Sequence, residues 1–81
     1  IFSTELINSS MMMCNLFGAT DATSSKIEDS YVSKNVVVKD SYVFGSRGVF
    51  SGDMEGGIFR LGRATEFAKF ENTEIIEIEK I

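Results

Sequence analysis

The sequence predicts an α+β fold, in which a small antiparallel or mixed sheet carries an N-terminal helix and one short helix packed on it. Three observations favour this class: apolar residues at helical spacing near the start, a valine-rich segment in the middle, and glycine-punctuated turns after it. The chain has 81 residues, which is the size of one small domain. We expect a helical anchor over residues 1–17, a linker over 18–26 and a β-rich core over 27–81.

The N-terminal segment, residues 3–17, is predicted to be an amphipathic helix. Ser3 can act as its N-cap, Glu5 lies in its first turn, and Gly18 is placed to end it. Five side chains fall near one stripe at helical spacing: Leu6, Ile7, Met11, Cys14 and Phe17. The stripe would pack on the sheet or on a partner.

The next segment, residues 18–26, has mostly small and polar side chains and is predicted to be a linker. Beyond it the tetrapeptide Asp-Ser-Tyr-Val occurs twice, starting at Asp29 and at Asp40. One continuous strand over both copies would be unusually long, so a break at residues 33–35 is expected, because Asn35 tolerates a left-handed turn conformation. This predicts an antiparallel hairpin of strands 27–32 and 36–44.

A second interpretation of the same segment is a repeat fold. Val32, Val38, Phe44 and Phe50 lie six residues apart. This spacing resembles the hexapeptide repeats of left-handed β-helix acyltransferases and of the C-terminal domains of sugar-nucleotide pyrophosphorylases. The resemblance covers about twenty residues and implies a coil of short parallel strands and a transferase activity; Gly56 and Gly62 then interrupt the sixfold pattern.

The remaining elements follow from turn residues and side-chain type. Six glycines between residues 45 and 62 are turn signals, and residues 57–61 are predicted to form a short strand. Residues 64–72 are predicted to form a short helix with Phe67 and Phe70 facing the core. Residues 73–81 alternate isoleucine with glutamate, which is typical of a half-buried terminal strand.

The residue inventory removes several classes of function. The chain has no histidine and one cysteine, so serine–histidine and cysteine–histidine nucleophile systems and histidine-ligated metals are excluded. Its net charge is −4, with dispersed basic residues, which argues against a nucleic-acid partner. No apolar stretch is long enough to span a membrane as a helix. Cys14 is the one weak candidate for attaching a cofactor, and we expect no metal site.

The composition favours a chain whose surplus apolar surface is covered by partner proteins. The seven phenylalanines and four methionines supply more apolar surface than one small core needs. Small domains are often stabilised by disulfides or by zinc, and one cysteine without histidine cannot form an internal disulfide or a Cys/His zinc site. We therefore predict a non-catalytic structural or linker subunit that docks on other protein subunits. The predicted partner-binding residues are Met11, Met12, Phe17, Arg47, Arg60 and Arg63. A fragment of a hexapeptide-repeat transferase and a small ligand-binding domain remain as alternatives.

Overall fold

Parallel strands build the described chain from one end to the other. The computed structural model describes residues 1–45 and 47–81, and within them it contains fourteen short strands and no helix. Every strand pair in these residues is parallel, so the protein is a β-solenoid rather than an α+β fold.

The coils present three faces, which the chain visits in a fixed order. The first face consists of β1 (Glu5–Ile7), β4 (Asp21–Thr23), β7 (Val37–Lys39), β9 (Asp53–Glu55) and β12 (Lys69–Glu71). The second face consists of β2 (Ser10–Met12), β5 (Lys26–Glu28), β8 (Tyr42–Phe44), β10 (Ile58–Arg60) and β13 (Glu74–Ile76). The third face consists of β3 (Asn15–Leu16), β6 (Tyr31–Val32), the single bridging residue Phe50, β11 (Arg63–Ala64) and β14 (Glu79–Lys80).

The strand register fixes a constant step between successive coils. Glu5 pairs with Asp21, Asp21 with Val37, and Val37 with Asp53, and the second face keeps the same step. Hydrogen bonds between neighbouring coils show this step directly, since Ser9 and Ser25 are joined at a separation of 16 in the sequence. Adjacent β-strands lie about 4.8 Å apart, so five coils account for most of the 28 Å long axis of the molecule.

The second and third faces are built mainly from a repeating unit of about five residues. A corner residue with positive φ turns the chain, a small buried residue follows, and a three-residue strand then places its middle side chain inward and the flanking two outward. The unit explains the duplicated tetrapeptide, since Asp29 and Asp40 are corner residues with φ near 50°. Asp and Asn tolerate this left-handed conformation better than most residues, which explains why they recur at the corners.

The inward side chains stack into one apolar core along the solenoid axis. Each coil contributes one inward residue per face, and the fully or nearly fully buried ones are Met11, Leu16, Ala22, Ile27, Val32, Val38, Val43, Phe50, Met54, Phe59 and Ala64. In the fourth coil the large Phe59 shares a layer with the small Ala64. Phe50 and Phe59 contact each other with ring centroids 5.3 Å apart, and Phe70 of the last coil packs on both.

Buried hydroxyl groups satisfy the backbone at the corner between the first and second faces. The N–H of Ser9 donates to Ser25 Oγ at 3.1 Å, and the N–H of Ser25 donates to Ser41 Oγ at 3.0 Å. Each hydroxyl in turn donates to the carbonyl two residues before it, as Ser41 does to Lys39 at 2.7 Å. The ladder pairs polar groups that a dry corner would otherwise leave unpaired.

The third coil departs from this regular spacing in two places. Phe50 bridges to Val32 of the coil before it and to Ala64 of the coil after it, so neither bridge has the regular step. The chain between β8 and Phe50 is two residues longer than its counterparts, and the corner at residues 51–52 is two residues shorter. The two changes cancel, so the first and second faces keep the regular register through the third coil.

The helices and the hairpin of the α+β prediction are wrong. Residues 3–17 form β1, β2 and β3, and residues 64–72 contain the end of β11 and all of β12. Residues 33–35 form a corner between two faces, not a hairpin loop, because β6 and β7 belong to different sheets. Residues 18–26 hold β4 and the start of β5.

The parallel stacking agrees with the β-helix interpretation at the level of architecture. The repeat differs from the sixfold spacing on which the resemblance was based. Val32, Val38 and Phe50 point into the core, whereas Phe44 lies on the outside of β8 beside Tyr42, with ring centroids 4.5 Å apart. The strand predicted over residues 36–44 is divided by a corner at Asp40 into β7 and β8, which lie on different faces, and the strand predicted over 57–61 corresponds to β10.

Candidate functional site

A groove follows the corner between the second and third faces from the first coil to the last. It has a volume of about 700 Å³. Twelve residues line it: Met12, Met13, Glu28, Asp29, Gly45, Arg47, Leu61, Gly62, Arg63, Glu77, Ile78 and Glu79.

The longer corner of the third coil shapes the middle of this groove. The N–H of Arg47 donates to Asp29 Oδ1 at 3.3 Å, which ties the longer corner to the coil before it. Gly48 is buried against the backbone of Ser30, and a Cβ at this position would overlap the Ser30 carbonyl oxygen. Only glycine allows the longer corner to lie this close to the second coil.

The groove carries side chains of both charges. Arg47 is exposed and Arg63 is half-buried, while Glu77 and Glu79 line the end of the groove that the last coil forms. This mixture does not make a one-sign surface of the kind that concentrates an anion or a cation. Within residues 1–45 and 47–81, no three His, Cys, Asp or Glu side chains are grouped closely enough to hold a metal ion.

The predicted partner-binding residues lie in four different places. Met12, Arg47 and Arg63 meet in the corner groove. Phe17 is 42% exposed at the start of the solenoid, and Arg60 is exposed on the second face. Met11 is buried in the core, so in the folded chain its side chain is not accessible.

Cys14 occupies a corner position of the kind that serine holds elsewhere in the solenoid. It is half-buried against the core, its backbone N–H donates to Ser30 Oγ at 3.1 Å, and its thiol lies 3.3 Å from the Met12 carbonyl oxygen. These contacts are those of the serines at equivalent corners. Attachment of a cofactor to Cys14 stays a prediction from the sequence.

The shortened corner of the third coil leaves a notch between the third and first faces. Lys34 of the second coil and Phe67 of the fourth coil meet across it, with Lys34 Nζ 4.2 Å from the ring centroid. Asp53 and Lys69 line the same notch. The cation–π contact therefore spans the coil that is two residues short at this corner.

The two ends of the solenoid expose apolar side chains that sequence reasoning did not single out as a set. Most of the exposed large hydrophobic residues belong to the terminal coils: Ile1, Phe2, Ile7, Met12, Met13, Phe17, Ile75 and Ile81. In the first coil the outward residue at the end of each strand segment is apolar, whereas the second coil has Thr23, Glu28 and Ser33 there. The five-residue spacing of Phe2, Ile7, Met12 and Phe17 was the signal that could have revealed this collar.

None of residues 1–45 and 47–81 forms a helix with the length and hydropathy that a membrane crossing needs. Comparison of the chain with protein-family models, with curated proteins and with solved structures finds no significant match. The candidate site is therefore defined by the coil geometry alone: one mixed-charge corner groove and the apolar collar of Phe2, Ile7, Met12 and Phe17.

Proposed function

We propose that this chain is a non-catalytic structural module, a β-solenoid that docks on other protein through the apolar collar of Phe2, Ile7, Met12 and Phe17. The observation that carries the proposal is the exposure of these four side chains, which lies between 42% and 62%. An exposed apolar patch of this kind marks a surface for contact with another protein.

The contrast between the first coil and the second supports the proposal. The second coil has Thr23, Glu28 and Ser33 at the outward positions that Ile7, Met12 and Phe17 hold in the first. Burying the collar against a partner would remove its apolar surface from water, which favours association.

The outward surface of the second and fourth coils gives less reason for association. The outward positions of the second and fourth coils carry Asp21, Thr23, Lys26, Glu28, Asp53, Glu55, Arg60 and Arg63. Charged, mixed surfaces of this kind are typical of faces that remain in water. The transferase and ligand-binding alternatives stay predictions from the sequence, as does docking through the corner groove.

Affinity capture of partner proteins by the unchanged chain and by variants tests the proposal. We expect the proteins that the unchanged chain retains to be lost by the double variant Ile7→Lys and Met12→Lys, because a charge in the collar disfavours its burial. Leu61→Lys is the matched control, since Leu61 is 44% exposed and lies outside the collar. Equal capture by the double variant and by the control would contradict the assignment of the collar as the docking surface.

A further inference from the structure

The second face differs from the first face in the side chains that it turns outward in the middle of the solenoid. In the second, third and fourth coils these outward residues are Lys26, Glu28, Tyr42, Phe44, Ile58 and Arg60. The same coils of the first face carry Asp21, Thr23, Val37, Lys39, Asp53 and Glu55. Each of these three coils has a neighbouring coil on both sides, so the difference belongs to the interior of the solenoid.

Two aromatic rings and one isoleucine form the centre of the second face. Tyr42 and Phe44 flank the inward Val43 and contact each other on the outside of β8, with ring centroids 4.5 Å apart. Ile58 pairs with Tyr42 in the next coil, and all three outward side chains are half-buried. Aromatic residues at the centre of a polar surface are typical anchors of protein–protein interfaces.

The charges on either side of this centre are complementary to one another. Glu28 pairs with Phe44, and Phe44 pairs with Arg60, so one outward row reads acid, aromatic, base in successive coils. When this row is reversed and laid on itself, the acid meets the base and the aromatic residue meets its own equivalent. A two-fold interface requires this kind of self-complementary surface.

We infer that the second face binds the second face of another copy of this chain, with the two solenoids running in opposite directions about a two-fold axis at the third coil. Glu28 then lies opposite Arg60 of the other copy, and the pair occurs twice. Phe44 and Tyr42 meet their own equivalents at the axis, where four rings exclude water. The inference is independent of the proposed function, because its argument uses no collar residue.

The opposite-direction arrangement gives each charged side chain a suitable neighbour. The planar guanidinium of Arg60 can donate two hydrogen bonds to the carboxylate of Glu28 in the other copy. Lys26 lies opposite Ile58, so that its methylene chain packs on the isoleucine while its ammonium group stays in water at the edge. The joint therefore has an aromatic centre and a charged rim.

A same-direction dimer would pair these coils less favourably. Each coil would face its own equivalent, which places Lys26 opposite Glu28 and Arg60 opposite Ile58. Both Arg60 side chains would then lie at one level, and neither would have a carboxylate of the three interior coils opposite it. The opposite-direction dimer keeps the two Arg60 side chains two coils apart, which is about 10 Å.

The size of the face sets the expected strength of the dimer. Strands of three residues span about 10 Å and five coils span about 24 Å, so the face is smaller than the roughly 800 Å² that each partner buries in a standard interface. We therefore expect a weak dimer, with a Kd of about 0.1–1 mM. Analytical ultracentrifugation over concentrations that bracket this range measures it.

Charge reversal at the two positions tests the pairing. Glu28→Arg would place two arginines opposite each other and Arg60→Glu two glutamates, so each single variant should raise the Kd about tenfold or more. The double variant Glu28→Arg and Arg60→Glu restores both ion pairs with their signs exchanged, and its Kd should return to within about threefold of the original. Glu55→Arg and Lys39→Glu are the matched controls, because they make the same charge changes on exposed residues of the first face. We expect both controls to associate like the unchanged chain, and circular dichroism checks that every variant keeps its β-structure.

Three outcomes would overturn the inference. An unchanged chain that stays monomeric throughout the concentration range would contradict the second copy as partner. Association that survives both single variants would show that another surface is used. Loss of association in Glu28→Arg but not in Arg60→Glu, with a monomeric double variant, would show same-direction pairing. None of these variants changes a collar residue, so each of these results leaves the proposed docking through the collar to its own test.

Discussion

The buried serine ladder gives the sharpest prediction about stability, and Ser41→Ala is the substitution that isolates it. Ser41 is 4% exposed, and its Oγ accepts the N–H of Ser25 at 3.0 Å. Its hydroxyl also donates to the Lys39 carbonyl, but that oxygen keeps the Ser24 N–H at 3.0 Å after the substitution. The Ser25 N–H is therefore the group that loses its partner.

The expected cost follows from that single orphaned donor. Leaving a buried N–H unpaired costs about 1–3 kcal/mol, and alanine fits the space of serine without a new clash. For a domain of this size each kcal/mol lowers the melting temperature by about 4–8 °C, so a central value of about 2 kcal/mol corresponds to about 8–16 °C.

Urea denaturation followed by circular dichroism measures the change in the free energy of unfolding. Ser10→Ala is the matched control, because Ser10 is an exposed outward residue of β2, and we expect it to stay within about 0.5 kcal/mol of the unchanged chain. A Ser41→Ala chain as stable as this control would refute the idea that the hydroxyl ladder satisfies the corner.

Three further substitutions test separate features of the coil. Phe50→Ala removes the buried ring that contacts Phe59 and Phe70 and should cost about 3–5 kcal/mol, measured by urea denaturation; a loss below about 1 kcal/mol would contradict its core position. Leu61→Gly relieves a leucine held at φ 54° and should raise stability by about 0.5–1 kcal/mol by thermal melting; destabilisation would show that its side-chain contacts outweigh the backbone strain. Lys34→Ala removes the cation above the Phe67 ring and should cost about 0.5–1 kcal/mol, whereas Lys34→Arg should retain most of that stability in the same melting assay.

Strand composition was the part of the fold that the sequence could predict. Residues 36–44 and 57–61 are rich in β-branched and aromatic side chains, and both contain strands. The prediction of an N-terminal helix was wrong because the positions of Leu6, Met11 and Cys14 fit one face of a helix nearly as well as they fit a solenoid coil. Leu16, which completes the true spacing of five and is fully buried, did not fit that stripe and was the residue that distinguished the two.

The candidate site was harder to predict because it depends on coil stacking. Met12, Arg47 and Arg63 are far apart in sequence and meet in one groove only because a corner repeats at the same place in every coil. The apolar collar depends on the same repeat, since Phe2, Ile7, Met12 and Phe17 share an outward position only once the coil is known. A single sequence without a recognised period gives neither piece of information.

The duplicated tetrapeptide shows why the period was difficult to see. The two copies begin at Asp29 and Asp40, and in a flat strand that odd spacing would place Tyr31 and Tyr42 on opposite faces of a sheet. In the solenoid both tyrosines point outward, because they begin strand segments on different faces and the intervening corners turn the chain. Alternation therefore restarts at each corner.

That restart also accounts for the irregular third coil. If the spacing between inward residues were fixed at five, Phe50 would not point into the core, since it follows Val43 by seven positions. The extra residues lie in a corner, where the chain is not paired by inward and outward alternation, and the next corner is shorter by the same number. Inward positions are thus kept by geometry while spacing varies, which explains how a β-solenoid can form from a sequence with no obvious fixed repeat.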